Sequence, residues 1–270
     1  MDSRESFRQM AVIYDKHRGL DDQVLDVLIK EIQEITSEQE IISLLDVGCG
    51  TGTYSIALAN VLGLEFTGVD VSEEMLEQAR SKCPEGKWLL LDIEAADFDE
   101  ESFDVVLISY VVHHIDYVKT FPKVYRLLKK PQGKLLIVTD DHDQFHNSLY
   151  HQYIPRLMEI DLNRFPSVDA LTNLLQNFGF DVSIRKTLRE GCISGEDDVK
   201  RLIGRGRDRY FSTLTLLTDE ELHDGFAEME RGLLEETKRG PIVVLREKTI
   251  IIAKPHAGLQ RLETPSALEP

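Results

Sequence analysis

Leu44-Leu45-Asp46-Val47-Gly48-Cys49-Gly50-Thr51-Gly52 is the stretch that decides the fold. It begins as a short apolar run, turns through glycines at alternate positions, and leads into residues 55–62, which read as a helix. Glycines between a strand and a helix permit a tight turn and let backbone N–H groups come close to a ligand. The spacing is GxGxG rather than GxGxxG, so the glycines alone say only that a nucleotide-like ligand is accommodated. Asp46 sharpens this. A pyrophosphate site avoids a carboxylate beside its anion, whereas a ligand with a cationic portion is suited by one.

The rhythm continues outward from this turn. Residues 41–47, 64–69, 87–91, 103–109 and 134–139 are short runs rich in Leu, Ile and Val, and helical segments lie between them at 55–62, 72–82 and 117–129. Ser72 is a good N-cap for the second of these, with Glu73 and Glu74 in its first turn. Near-continuous apolar strands alternating with helices predict a parallel sheet covered on both faces. Upstream, Phe7, Met10, Ala11 and Tyr14 lie at helical spacing in residues 4–17, and residues 21–35 carry an apolar stripe of period 3.6. Downstream of Asp140, residues 144–162 read as a helix interrupted at Pro155, and 167–177 as a helix capped by Ser167 and closed by Gly179. A sixth strand follows at 180–188. A mostly helical insertion occupies 190–246, with helices at 196–203 and 218–238, the latter capped by Thr218. Residues 242–253 return to strand character, and 255–270 read as a disordered tail.

The 270 residues and a hydrophobic fraction of 42% allow one large α/β domain over 1–254, with helices at 1–37 and elaborations at 141–240. No apolar run approaches the ~18–20 residues of a membrane span, and the first residues do not resemble a secretion signal, so a cytoplasmic address is expected. The formal charge of −17 argues against nucleic acid as a partner, since phosphates demand a cationic surface. The 3 cysteines form no CxxC pair, and no ligand-spacing motif for a metal is present.

Residues 44–140 resemble the core of the class I S-adenosylmethionine-dependent methyltransferases. They are most similar to the small-molecule branch that includes quinone-biosynthesis C-methyltransferases and the broad "type 11" group. The resemblance runs through the glycine turn, then Gly68-Val69-Asp70-Val71-Ser72-Glu73-Glu74-Met75-Leu76, Leu91-Asp92-Ile93-Glu94 and Ser102-Phe103-Asp104-Val105-Val106-Leu107. It continues through Val112-His113-His114-Ile115 to the segment 125–135. One departure is Pro131-Gln132-Gly133, where the family commonly has Pro-Gly-Gly. The resemblance implies a Rossmann-like three-layer α/β sandwich. Its seven-stranded, mostly parallel sheet would have an antiparallel last strand at 242–253, a helical N-terminal lid and a helical insertion before the last strand. It also implies S-adenosylmethionine as cofactor, with S-adenosylhomocysteine as product, and no metal.

On this reading Gly48, Gly50, Gly52 and Asp46 meet the amino-acid end of the cofactor. Asp70, ~20 residues past the turn, accepts from the ribose hydroxyls, and Asp92 from the adenine amino group while Ile93 or Val71 packs on the ring. Ser109 ends the fourth strand, where ligands gather in open α/β sheets. Tyr14 and Arg18 resemble the lid residues that close over the cofactor's carboxylate. Methyl transfer is an in-line displacement governed mainly by positioning, and a general base is needed only if the acceptor atom carries a proton. Tyr110, His113 and His114 are the candidate bases. A small-molecule acceptor, anionic in character, is expected to meet the elaborations through His142, Tyr150, Arg207 and Tyr210, with Arg201, Arg205, Arg209, Tyr153, Arg156 and Arg164 nearby. The alternatives are a protein or RNA methyltransferase, a non-catalytic S-adenosylmethionine-binding module and an NAD-dependent oxidoreductase. A monomer or homodimer is consistent with the sequence.

Overall fold

The computed structural model describes residues 19–35 and 41–256. The helix expected at 4–17, Tyr14 and Arg18 therefore lie outside the described residues, as does the tail from 257.

Seven strands form one sheet: β1 (Ser43–Val47), β2 (Glu65–Asp70), β3 (Lys87–Leu90), β4 (Val105–Ser109), β5 (Lys134–Thr139), β6 (Phe180–Ile193) and β7 (Ile242–Pro255). Their order is β3-β2-β1-β4-β5-β7-β6. Only β7 runs against its neighbours, pairing antiparallel with both β5 and β6. The chain reverses its direction of travel across the sheet between β1 and β4, and a crevice opens at the carboxyl ends of such adjacent strands.

Because side chains alternate across a strand, the sheet feeds two apolar layers. One face puts Leu45, Val106, Leu135 and Ile251 against α4 (Tyr117–Leu127) and α8 (Val168–Asn177). The other puts Leu44, Val105, Leu136 and Ile250 against α1 (Asp22–Gln33) and α2 (Thr53–Leu62). The stripe Val24, Leu28 and Ile32 of α1 is fully buried, and Asp21 caps that helix by accepting from the backbone of Gln23 and Val24. α3 (Glu73–Lys82) starts at Ser72, whose hydroxyl accepts from Met75 N–H.

The segment 142–164 is three helices, α5 (His142–His146), α6 (Leu149–Tyr153) and α7 (Pro155–Arg164), where periodicity predicts one interrupted helix. A capping box between Asp141 and Gln144 starts α5, and Asn147 ends it after about one turn. Ile154 is held extended by the following Pro155, which separates α6 from α7. The strands β6 and β7 are longer than expected and pair from Phe180↔Pro255 to Ile193↔Ile242. Since β5 ends opposite Thr249, their outer halves run on as a two-stranded ribbon past the carboxyl edge of the sheet. The ribbon carries α9 (Glu196–Arg207) and α10 (Asp219–Thr237). These helices bury Val199, Ile203, Phe226 and Met229 against Tyr150, Ile154 and Leu157, a cap with its own apolar core.

Candidate active site

Gly48, Gly50 and Gly52 all take positive φ, at 66°, 55° and 74°. Two are also held by close neighbours. A Cβ on Gly48 would lie 2.7 Å from a Val111 methyl, and one on Gly52 would overlap the Trp88 ring. Among the described residues nothing lies within 4 Å of the Cβ position of Gly50, so they leave the middle of the turn open. Gly52 stands at the N-cap of α2 without a side chain to accept its first N–H groups, and such an uncapped end attracts an anion.

Asp46 ends up beneath the turn. It is 1% exposed, one oxygen accepts from the Ser55 hydroxyl, and Oδ1 has no hydrogen-bond partner among the described residues. Burial raises its pKa from 3.8 to about 7; the Ser55 hydrogen bond opposes the rise and the charge of Asp70 adds to it. The contact expected between Asp46 and a cationic ligand group is therefore an action of its field through the turn. An orphaned buried carboxylate oxygen, an uncapped helix end and open space over Gly50 together fit a zwitterionic amino-acid end such as that of S-adenosylmethionine.

Asp70 pins the same turn from β2. Its Oδ2 accepts from Gly50 N–H at 2.8 Å and its Oδ1 from Ser72 N–H at 2.9 Å. Burial raises its pKa despite these bonds. A carboxylate has about four acceptor positions, so two remain for hydroxyls. Asp92 caps the short 3₁₀ turn Ile93–Ala95 by accepting from Glu94 N–H at 2.9 Å, close beyond the end of β3. Ile93 turns into the core at 5% exposed while Val71 is 42% exposed, so the apolar surface expected from either residue is offered by Val71.

Ser109 closes β4, and Tyr110 follows at φ 56°, a strained position for a residue with a Cβ. Its ring lies 6.3 Å from that of Tyr54 and 5.3 Å from Lys248 Nζ. Burial and the neighbouring Tyr54 push its phenol well above the ordinary value. The shift makes Tyr110 a weaker acid and places it as a hydrogen-bond donor beside the site.

His113 and His114 occupy the 3₁₀ turn Val112–His114 just beyond. His113 stacks on Phe165 at 3.8 Å, and Phe165 O lies 2.7 Å from His142 Nε2. His114 Nε2 lies 3.4 Å from the Arg164 guanidinium, which can only donate. The fold thus gathers His113, His114 and His142 about one loop. It does not bring Tyr150, Arg207 or Tyr210 there. Tyr150 is buried in the cap core and donates to Leu202 O at 2.7 Å, Tyr210 packs beside it, and Arg207 reaches Glu230 at 3.9 Å on the outer surface. These three belong to the packing and surface of the cap. Ser55 and Trp88 gain weight that their sequence positions did not carry, because their partners lie beneath the turn, and Arg164, expected only near the acceptor, meets His114. Among the described residues no group of three or more His, Cys, Asp or Glu is placed to hold a metal, and Asp140 is taken by Lys248 at 2.5 Å.

Residues 44–133 match the family described as a methyltransferase domain. The demethylmenaquinone methyltransferase of Chlorobaculum tepidum is 28% identical over 205 residues, covering 66% of this chain and 83% of its own length. The matched domain and this relative support a class I S-adenosylmethionine-dependent methyltransferase. The chain is also similar to the O-methyltransferase cnsE of Penicillium expansum, 32% identical over 178 residues with 62% of this chain and 63% of the other covered. Its fold matches that of a solved protein of Anabaena variabilis assigned to methyltransferases of an antibiotic biosynthesis pathway. There the TM-score is 0.69 at 24% identity, with 87% of this chain and 98% of the other covered.

Proposed function

We propose that this enzyme methylates a small-molecule acceptor held between the carboxyl edge of the sheet and the cap. One observation carries the reading: the β6–β7 ribbon brings a separately packed helical layer over the strand ends, and Arg164 of that layer meets His114 on the turn after β4. A site walled in this way suits an acceptor of limited size. The name of the Chlorobaculum relative supports a small acceptor, and the net charge of −17 disfavours a polyanion.

When bound, S-adenosylmethionine supplies an electrophilic methyl group on a sulfonium. The chain holds and aligns. Gly48, Gly50 and Gly52 let the backbone come close, with the amino end of α2 toward a carboxylate and the Asp46 field toward an ammonium. Asp70 would accept from the ribose hydroxyls and Asp92 from the adenine amino group, and the exposed Val71 would pack on the ring. The resemblance assigns Tyr14 and Arg18, outside the described residues, to closing over the amino-acid end. Ser109 and Tyr110 border the reacting end, and His113 or His114 takes a proton where the acceptor atom carries one.

The single tryptophan, Trp88, lies directly under Gly52 and reports on the turn. Titration followed by its fluorescence is expected to show micromolar binding of S-adenosylhomocysteine and none of NAD. Binding of NAD without S-adenosylhomocysteine would overturn the proposal.

A further inference from the structure

The arginines on α9 and after it are engaged away from the strand ends. Arg201 pairs with Asp198 at 3.1 Å, and Arg209 with Asp219 at 2.6 Å and with the carbonyls of Leu214 and Leu217. Arg205 lies over the Tyr210 ring at 4.8 Å, inside the cap. Arg164 is placed otherwise. It closes α7, half-buried, and donates from Nη1 to Thr213 Oγ1 at 2.8 Å. Its Nη2 points to Ser212 Oγ at 3.5 Å and His114 Nε2 at 3.4 Å. None of the three is a carboxylate. Among the described residues Arg164 makes no ion pair. Asp161 lies close enough for its charge to be felt, but it reaches Arg164 only through Thr213, whose hydroxyl donates to it at 2.5 Å, and its other oxygen meets His151 Nε2 at 2.9 Å.

A half-buried guanidinium without a carboxylate on it is costly to maintain. Here it stands at the strand ends of an acidic protein. It is also joined to the cofactor turn by a short path. His114 N–H donates to Val111 O at 2.8 Å, and the Val111 side chain fills the space in front of Gly48. Phe165, next in sequence, supplies a flat apolar wall already stacked with His113. The Ser212 contact, at 3.5 Å, is at the outer limit of a hydrogen bond, so Nη2 can give it up and, with Nε–H, offer an oxyanion two parallel hydrogen bonds.

The geometry points to Arg164 as the residue that binds an oxyanion group, carboxylate or phosphate, on the methyl acceptor. This rests on the proposal that a small acceptor occupies the space under the cap. The bond to Thr213 and the contact with His114 hold the guanidinium in place, and its remaining N–H groups receive the anion. A guanidinium that served only to tie α7 to the 3₁₀ turn Ser212–Leu216 would contribute stability and no preference for anions.

The test uses the full chain saturated with S-adenosylhomocysteine, titrated calorimetrically with benzoate, phenyl phosphate and neutral benzamide. At least one of the two anions is expected to bind about tenfold or more tightly than benzamide, and which of them does so separates carboxylate from phosphate. Arg164→Met is expected to abolish that preference and Arg164→Lys to weaken it about tenfold, because a lysine keeps the charge without the fork. Lys238→Met, which removes an exposed cation just past α10, serves as the control with the preference intact. Should Arg164→Met fail to fold by circular dichroism, Arg164→Lys decides. An anion preference unchanged in the folded variant, equal binding of benzamide, or no binding of either anion overturns the inference. Failure of S-adenosylhomocysteine itself to bind is a different result, and refutes the underlying site reading instead.

Discussion

Replacing Asp46 with asparagine tests the electrostatics of the cofactor turn. The aspartate is buried with one oxygen unpartnered, and its pKa rises from 3.8 to about 7 chiefly through burial. Over that interval the folded chain holds a proton that the unfolded chain has released. Stability from this group is therefore full below about pH 4, falls as pH rises, and levels off above about pH 7. At ~1.4 kcal/mol per pH unit the fall amounts to about 4 kcal/mol, an upper figure because water reaching the turn would screen the charge. Asp46→Asn keeps the shape and an oxygen for Ser55 but removes the charge. Urea unfolding of both proteins from pH 4 to 8 should show the variant gaining on the wild type as pH rises, by up to this amount. A cationic ligand group at the turn favours the ionised carboxyl. Binding of S-adenosylhomocysteine at pH 7 should thus release protons from the wild type and not from the variant, seen as a binding heat that depends on the buffer. Parallel stability profiles, or equal proton release, would refute the assignment.

Asp70→Asn should weaken S-adenosylhomocysteine at least tenfold by calorimetry. The amide cannot accept from Gly50, Ser72 and two hydroxyls at once, and hydrogen bonds to charged groups contribute about 1.5–3 kcal/mol each. Gly52→Ala combines a left-handed φ with a Cβ that overlaps the Trp88 ring, so a loss of roughly 2–4 kcal/mol and an altered Trp88 fluorescence are expected. An unchanged melting temperature would contradict this. Lys134 lies 1% exposed between Glu31 and Glu34, at 2.9 and 2.8 Å. Arg185 also reaches Glu31, at 3.4 Å, so Lys134→Met leaves the buried Glu31 carboxylate with that longer pair alone and should cost about 3 kcal/mol in urea unfolding, part of which adding Glu31→Gln should recover.

The parts of the fold legible in the sequence are those governed by local chemistry. Ser72, Ser167 and Thr218 all cap the helices that their positions predict, because a side-chain oxygen and a backbone N–H three residues on need nothing from elsewhere. The strand ends bearing Asp46, Asp70 and Asp92 are legible for the same reason, since an apolar run ended by an acid marks itself. The outer half of β6 is not. Beyond Leu188 it reads Arg189-Glu190-Gly191, polar and glycine-containing, and it is a strand only because β7 pairs with it residue by residue. Tyr150 and Arg164 show the same limit at the site. Helical spacing cannot tell a tyrosine buried in the cap core from one lining a pocket, and the partners of Arg164 lie 49 and 50 residues away.

The two halves of the site are consequently built from different materials. The cofactor half depends on backbone geometry: positive-φ glycines, an uncapped helix and carboxylates that hold or polarise the turn. These lie within residues 46–92 and admit little variation, since Gly48 and Gly52 are confined by Val111 and Trp88. The acceptor half depends on side chains from segments far apart in sequence: His114 after β4, His142 and Phe165 around α5–α7, and Ser212 and Thr213 at the far end of the cap. Arg164 alone among these touches both the sheet-side turn and the cap-side turn. A change in acceptor can therefore be accommodated in residues 142–217 without disturbing the turn that starts at Gly48. Exchanging Arg164 should alter which molecule is held while leaving S-adenosylhomocysteine affinity within about twofold, as expected for sites whose residues share no direct partner. A parallel loss of both would mean that the cap, through His114 and Val111, shapes the cofactor turn itself.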